Sequence, residues 1–244
     1  MINIHRFFVK PENINENNIT ILDEEFYHLH NVLRLKINDK ILICDNTGKE
    51  YIVVLQKISN SYAEGKIENC SISITEPKVK ITLAQSIPKA KKMDFIIEKN
   101  TELGITQIIP LITHRCVVNI KNEILRYNRW EEIAKNAAKQ SQRAIIPKIE
   151  KITSIKELDL KEYDLIIVPY ENEKNNLKNI LKNLKEKIKN IIIFIGPEGG
   201  FEKEEIMFLQ EQKGISVSLG KRILKTETAS ITTLSIILYE LGEL

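Results

Sequence analysis

The feature that most constrains this fold is an alternation of strand-like and helix-like segments from about residue 79 to the end of the chain. Short apolar runs such as IIIFI at 191–195 and ISVSL at 215–219 are separated by longer amphipathic stretches. Strands that alternate with helices form βαβ units, in which the strands pair in parallel and helices cover the faces of the sheet. The pattern predicts an α/β domain with a mostly parallel sheet. Helices are expected at 92–104, 123–141, 174–187, from 202 onwards and at the C-terminus.

The first 75 residues have a different pattern. Short β-rich runs occur at 2–9, 40–44, 51–58 and 62–68, and one helix is expected at 23–34 with Asp23 as its cap. These features indicate a small β-barrel with one helix. We therefore predict two domains, 1–75 and 76–244.

Composition excludes several classes of protein. With 244 residues, 43% hydrophobic and 28% charged, the chain is typical of a globular protein and not of a disordered one. Three scattered cysteines support neither a disulfide framework nor a zinc site. The sequence contains no export signal and no apolar run long enough for a membrane span, so we expect a cytoplasmic protein without a metal.

The distribution of charge is more informative than the net charge of +3. Residues 76–150 hold 14 basic and 8 acidic side chains, whereas the segments before and after them are close to neutral. An RNA-binding surface would give this excess, and so would a solvated helix face in a lysine-rich protein.

Two glycine-containing loops follow neighbouring strands of the predicted domain. The first is IGPEGG at 195–200, which follows IIIFI and precedes an acidic helix start. Its spacing matches neither a dinucleotide fingerprint nor a P-loop. The second is LGKRILKTETA at 219–229, in which Thr226 is expected to cap the final helix and Glu227 to complement the helix dipole. Loops at the carboxyl ends of parallel strands are where open α/β sheets bind ligands, so the pair predicts a site that closes around an adenosyl group.

The final helix, ITTLSIILYELGEL, is apolar on more than one side. Ile231, Leu234 and Leu238 share one face, and Ile236 and Ile237 lie elsewhere. This predicts burial on two sides, one of them against a second subunit.

The sequence resembles the RsmE family of ribosomal RNA uridine-N3 methyltransferases of the SPOUT superfamily. The likeness extends over nearly the whole chain, and IGPEGG and LGKRILKTETA are its most specific elements. Lys225 is a departure, because similar proteins often have arginine there. Further matching segments are HRFFV at 5–9, HLHNVLR at 28–34, KMDFIIEKNTELGI at 92–105, THRC at 113–116, Trp130 with Ala134, Ala137 and Ala138, and QSQR at 140–143 with Pro147.

The resemblance implies an N-terminal PUA-like RNA-binding barrel, a C-terminal α/β domain threaded into a trefoil knot, and S-adenosylmethionine as methyl donor. It also implies a homodimer that methylates a uridine of 16S ribosomal RNA, in the 30S subunit. The expected cofactor-binding residues are Ile195, Gly196, Pro197, Glu198, Gly199, Gly200, Leu219, Gly220, Ile223, Leu224, Thr226, Thr228 and Ala229. The expected RNA contacts are Arg6, Arg34, Arg115 and Arg143.

Methyl transfer to the N3 atom of uridine requires the two reactants to be aligned and the deprotonated imide to be favoured. A nearby cation or a base would serve the second need, and our candidate catalytic residues are Arg6, Arg34, Arg222, Lys225 and Glu227, with Glu198 as an alternative base. Other functions stay open: a non-catalytic assembly factor that binds ribosomal RNA, a SPOUT enzyme with a different target nucleotide, or a small-molecule α/β enzyme.

Overall fold

The computed structural model describes residues 4–116, 123–182 and 188–244. Residues 2 and 3 of the first predicted strand and residues 183–187 of the predicted 174–187 helix lie outside these ranges. The described chain forms two compact units, one of Met1–Glu76 with Ala138–Ile146 and the other of Pro77–Ala137 with Pro147–Leu244.

The first unit is built around a five-stranded sheet in the order β1-β3-β4-β5-β2. All its pairings are antiparallel except that of β1 with β3. Side chains alternate along β3 and β4, and the inward ones, such as Ile41, Val53 and Leu55, are fully buried. The strands are β1 Arg6–Phe8, β2 Asn18–Ile21, β3 Lys40–Cys44, β4 Lys49–Ile58 and β5 Ala63–Ile72.

The predicted 23–34 helix is shorter and less regular than expected. An α-helix, α1, covers Asp23–Tyr27, and a π-helical turn follows over His28–Val32. Leu22 occupies the N-cap position, so the prediction of Asp23 as the cap was wrong.

One segment expected in the second domain packs with the first unit. Ala138 and Ala144 are buried against Phe8 and Cys44. The segment is also fixed by Glu76, whose carboxylate accepts hydrogen bonds from Arg143 Nη2 (2.7 Å) and from the backbone N–H of Ala144 (2.9 Å).

The second unit confirms the predicted parallel sheet. Its strands follow the order β12-β10-β11-β6-β7-β8, with β9 also beside β7, and all pairs are parallel. The central strands β6 and β11 are buried along almost their whole length, as expected for strands of a parallel sheet whose faces are covered by helices, which explains the isoleucine-rich composition of β11. The strands are β6 Lys80–Ser86, β7 Gln107–Ile112, β8 Lys148–Ile149, β9 Thr153–Ser154, β10 Leu165–Pro169, β11 Asn190–Ile195 and β12 Ile215–Val217.

The connecting helices end where the sequence has stop signals. Gly104 and Gly242 take left-handed conformations after α2 and α6. Helix α5 begins with a capping box in which Glu205 accepts a hydrogen bond from the backbone N–H of Glu202 at 2.8 Å. The helices are α2 Lys92–Leu103, α3 Glu123–Gln140, α4 Leu177–Lys182, α5 Lys203–Glu211 and α6 Thr226–Leu241.

The last helix, α6, packs against α2 and buries Leu234, Ile237 and Leu238 within the same chain. Ile237 is 0% exposed and belongs to the core, whereas Ile236 is half-buried. The assignment of Ile237 to a face awaiting a second subunit was therefore wrong. Across the described residues, no helix is long and apolar enough to cross a membrane.

Candidate functional site

A cavity of about 460 Å³ lies at the carboxyl edge of the parallel sheet. It is bounded by the loops that follow β10, β11 and β12, which are adjacent strands. Its volume is typical of small-molecule sites, which span roughly 300–1,000 Å³. The lining residues are 169–171, 195–201, 218–226 and Ala229.

The structure brings together nearly all the residues predicted to bind a cofactor. Both glycine-containing loops line the cavity, and Thr228 is the one member of the predicted set that does not. Of the candidate catalytic residues, Arg222 and Lys225 also line it, whereas Glu227 does not.

The first loop, which we call the glycine loop (residues 196–200), is tied to the sheet and to α6 by one hydroxyl. Thr226 Oγ1 donates to the carbonyl oxygen of Gly196 at 2.7 Å and accepts from Nε2 of the buried Gln85 at 2.9 Å. The N-cap of α6 is Lys225, so Thr226 does not cap that helix as predicted. Its buried hydroxyl instead joins the ends of β6 and β11 at the start of α6.

Lys92, at the start of α2, holds the same loop through an ion pair. Its Nζ donates to Oε1 of Glu198 at 2.8 Å, and the backbone N–H of Lys89 donates to the same oxygen at 3.1 Å. The hydrogen bond to Glu198 raises the pKa of Lys92. Partial burial raises the pKa of Glu198, but the hydrogen bonds outweigh it and hold that pKa below its usual value. Both groups are therefore charged at neutral pH.

Arg115 holds the loop from the segment after β7. Its Nη1 donates to the carbonyl oxygen of Gly199 at 2.6 Å, and its Nε and Nη2 bond the two carboxylate oxygens of Glu202 at 2.8 and 2.9 Å. This two-point pairing raises the pKa of Arg115 and lowers that of Glu202. Arg115 was predicted to contact RNA, and in the structure its guanidinium contacts Gly199 of the glycine loop and Glu202.

The second loop, which we call the basic loop (residues 218–225), has few side-chain attachments. Gly220 adopts φ +118°, and the Ser218 hydroxyl accepts from its backbone N–H at 3.3 Å. Lys221, Arg222 and Lys225 are exposed, and Ile223 is 89% exposed. The loop therefore places three cations at the mouth of the cavity.

Comparison with known proteins identifies the family. Residues 75–238 match the RNA methyltransferase domain family, and residues 21–68 match the RNA methyltransferase PUA domain. Ribosomal RNA small subunit methyltransferase E of Bacillus subtilis is 33% identical over 229 residues, which cover 91% of this chain and 90% of that protein. The enzyme of the same name from Mesomycoplasma hyopneumoniae is 34% identical, with coverage of 95% and 98%. The chain belongs to the ribosomal RNA small subunit methyltransferase E family.

Solved structures agree with this assignment. A family member from Neisseria gonorrhoeae, crystallised with S-adenosylmethionine, has a TM-score of 0.86 and is 32% identical, with 97% of this chain and 98% of that chain covered. A putative methyltransferase from Legionella pneumophila, also in complex with S-adenosylmethionine, has a TM-score of 0.84 at 26% identity and covers 98% of each chain. The family resemblance inferred from the motifs is thus confirmed.

Three of the residues predicted to contact RNA or to take part in catalysis lie in the first unit of this chain and do not line the cavity: Arg6, Arg34 and Arg143. Arg143 is 3% exposed and pairs with Glu76, so we reinterpret this predicted RNA contact as a structural ion pair. The Arg6 side chain is 10% exposed and donates to Oε1 of Glu50 at 2.8 Å, which likewise leaves it little access to RNA or substrate. Arg34 is exposed after the π-helical turn, with a left-handed φ of +53°.

Glu227 lies on the side of α6 that faces α2. Its Oε2 is 3.8 Å from Lys92 Nζ and has no hydrogen-bond partner among the described residues. Lys92 thus lies near two carboxylates, and the one that lines the cavity is Glu198.

Sequence reasoning missed the third wall of the cavity, formed by Pro169, Tyr170 and Glu171 after β10. The run YDLIIVP marked the strand, but nothing local indicates that β10 lies between β11 and β12. Once that order is known, the end of β10 has to border the same cavity. Across the described residues, no three His, Cys, Asp or Glu side chains are grouped as a metal site would require.

Proposed function

We propose that this chain transfers the methyl group of S-adenosylmethionine to the N3 atom of a uridine in 16S ribosomal RNA. The observation that carries the proposal is the cavity between the glycine loop and the basic loop, together with the cofactor-bound relative that is 32% identical. The relatives' shared name supports ribosomal RNA as the substrate. The choice of N3 and of uridine follows from the family resemblance.

The residues of the cavity suit an adenosyl cofactor. Gly200 has a left-handed φ of +71°, a backbone conformation that favours glycine, and this turn brings the loop backbone to the edge of the cavity. The volume of the cavity suits a ligand of this size. When bound, the cofactor supplies an activated methyl group on a sulfonium.

The chain itself contributes orientation and charge. Thr226, Lys92 and Arg115 fix the glycine loop before any ligand arrives, which lowers the entropic cost of aligning two reactants. The side chains of Arg222 and Lys225 line the cavity and make no hydrogen bond or ion pair with the described residues, and we assign to them the stabilisation of the uracil anion. Glu198 lines the cavity and Glu227 does not, but the hydrogen bonds from Lys92 and Lys89 lower the pKa of Glu198 and make it a weak base, so we assign neither carboxylate as the proton acceptor.

We further propose a homodimer that acts on the assembled 30S subunit. Phe95 on α2 is 45% exposed and Tyr239 on α6 is 71% exposed, and we take these two exposed aromatic side chains as candidate contacts of the dimer. Sedimentation of Phe95→Asp and Tyr239→Asp tests this, because a dimer that persists in both variants would exclude these contacts. The trefoil knot stays a prediction of the family resemblance.

Methylation of RNA from cells that lack this gene tests the activity. Naked 16S RNA and 30S subunits are incubated with the protein and S-adenosylmethionine, and the modified nucleoside is identified by mass spectrometry. We expect 3-methyluridine, formed faster on 30S subunits. A different methylated nucleoside would retain the methyltransferase and overturn the N3 assignment, whereas RNA binding without methylation would favour an assembly factor.

A further inference from the structure

Glu171 stands out among the side chains that line the cavity. It follows β10 in the wall that the sequence did not predict, and it is exposed. Among the described residues that line the cavity, Glu198 is the only other carboxylate, and it is already ion-paired with Lys92. No hydrogen bond or ion pair within 4 Å is recorded for Glu171 in the described parts of the chain. It therefore keeps its full capacity to accept hydrogen bonds.

The side-chain hydroxyls that line the cavity already have partners among the described residues. The Thr226 hydroxyl donates to Gly196 and accepts from Gln85, and the Ser218 hydroxyl contacts the backbone of Gly220. The Tyr170 hydroxyl accepts from Asn172 Nδ2 at 3.0 Å. A ligand with hydroxyl or ammonium donors thus meets one side chain with free acceptor oxygens, and that side chain is charged.

The carboxylate of Glu171 lies close to the glycine loop. A Cβ on Gly200 would lie 2.9 Å from Oε1 and 3.4 Å from Oε2 of Glu171. The pKa of Arg115 is raised mainly by its hydrogen bonds to Glu202 and to a smaller extent by the negative charge of Glu171. The Arg115 guanidinium donates its hydrogen bonds to Glu202 and to the carbonyl oxygen of Gly199. The carboxylate is thus placed beside the glycine loop without being neutralised by a direct partner.

We propose that Glu171 recognises the cofactor by accepting hydrogen bonds from one of its donor groups, either the ribose hydroxyl pair or the α-ammonium group. The inference rests on the proposed function, because it takes the cavity to be the S-adenosylmethionine site. A carboxylate offers two oxygens and can accept two donors at once, and hydrogen bonds to charged acceptors are stronger than neutral ones. Glu171 then determines specificity for an adenosyl ligand and takes no part in the methyl transfer.

Calorimetric titration of wild type, Glu171→Gln and Glu171→Ala tests the proposal. We expect the affinity for S-adenosylmethionine to fall by about 10- to 100-fold in both variants, as the loss of a charged hydrogen bond requires. Glu204→Gln is the control, since that side chain is exposed on α5 and does not line the cavity. Thermal unfolding of each variant shows that the fold is retained.

A second ligand, 5′-methylthioadenosine, distinguishes the two donor groups because it keeps the ribose and lacks the amino acid. If Glu171 bonds the ribose, the loss of affinity in Glu171→Gln persists with this ligand. If it bonds the ammonium, the loss disappears. If the wild-type protein binds no S-adenosylmethionine, the proposed function is overturned. If the wild-type protein binds S-adenosylmethionine and Glu171→Gln binds it equally well or more tightly, only the inference about Glu171 is overturned.

Discussion

The glycine loop and the basic loop border the same cavity, but the protein holds them very differently. The glycine loop is bonded by Thr226, Lys92 and Arg115, which come from three separate segments. In the basic loop, no heavy atom of the described residues, apart from Gly220 itself and its chain neighbours, lies within 4 Å of the position a Cβ on Gly220 would take, and Ile223 is almost fully exposed.

This difference separates two tasks. A wall that is fixed in advance loses little entropy when a small ligand binds, so the glycine loop suits the cofactor. Exposed cations without partners suit a large anionic partner, so the basic loop suits RNA. If this division holds, substitutions in the first loop should change cofactor affinity, and substitutions in the second should change RNA affinity.

The largest effect is expected for Gly199→Val. A Cβ at Gly199 would already lie 3.2 Å from Arg115 Cδ, and the two methyl groups of valine would push the guanidinium away from its bonds. Overpacking of this kind costs about 1–3 kcal/mol before the lost hydrogen bonds are counted, so we expect cofactor affinity to fall by about 100-fold or more. Calorimetry measures it, with Met207→Ala, an exposed α5 residue that does not line the cavity, as the control. If folded Gly199→Val binds S-adenosylmethionine with unchanged affinity, the IGPEGG segment only connects β11 to α5 and does not bind the cofactor.

Thr226→Val should have the next largest effect. Valine has nearly the same shape but removes the hydroxyl that joins Gly196 to Gln85, and a buried polar group left unpaired costs about 1–3 kcal/mol. We expect the free energy of unfolding in urea to fall by about that amount and cofactor affinity to weaken with it. Thr228→Val, on the exposed side of the same helix turn, should change neither. Equal stability of the two variants would show that the hydroxyl does not fix the loop.

Much of this site could be predicted from the sequence because both loops carry local signals. Glycines after an apolar run mark a strand end wherever the strand lies in the sheet, and IGPEGG and LGKRILKTETA indeed line one cavity. The partners of charged residues could not be predicted in the same way. Arg143 and Arg115 look alike in sequence, yet one is buried against Glu76 and the other clamps Gly199. Those pairings join residues 67 and 84 positions apart and depend on the folded chain.

RNA binding should show the opposite dependence from cofactor binding. Replacing Lys221, Arg222 and Lys225 together by alanine should lower the slope of log affinity against log salt by about 2, because each phosphate contact on a single strand contributes about 0.7. Arg115→Ala should leave the slope nearly unchanged, since its charge is paired with Glu202. Fluorescence anisotropy with 16S RNA fragments across a salt series measures both. A slope that changes only in Arg115→Ala would reverse the assignment of the two loops.

The smallest effect concerns pH and the ion pair of the glycine loop. Because the pKa of Glu198 is lower in the folded chain than its ordinary value, its ion pair with Lys92 stabilises the fold above the ordinary carboxyl pKa of about 4.3. That contribution is lost as the pH falls from there through the lower folded-state pKa. Lys92→Met removes the partner of Glu198. As the pH falls below about 4.3, the urea midpoint of this variant should therefore fall less steeply than the wild-type midpoint. The difference should be small because the ion pair is partly exposed to solvent. Lys225→Met in the basic loop removes a cation without a recorded partner and should follow the wild-type curve. If the urea midpoint of Lys92→Met also follows the wild-type pH curve, the ion pair between Lys92 and Glu198 does not contribute to holding the glycine loop.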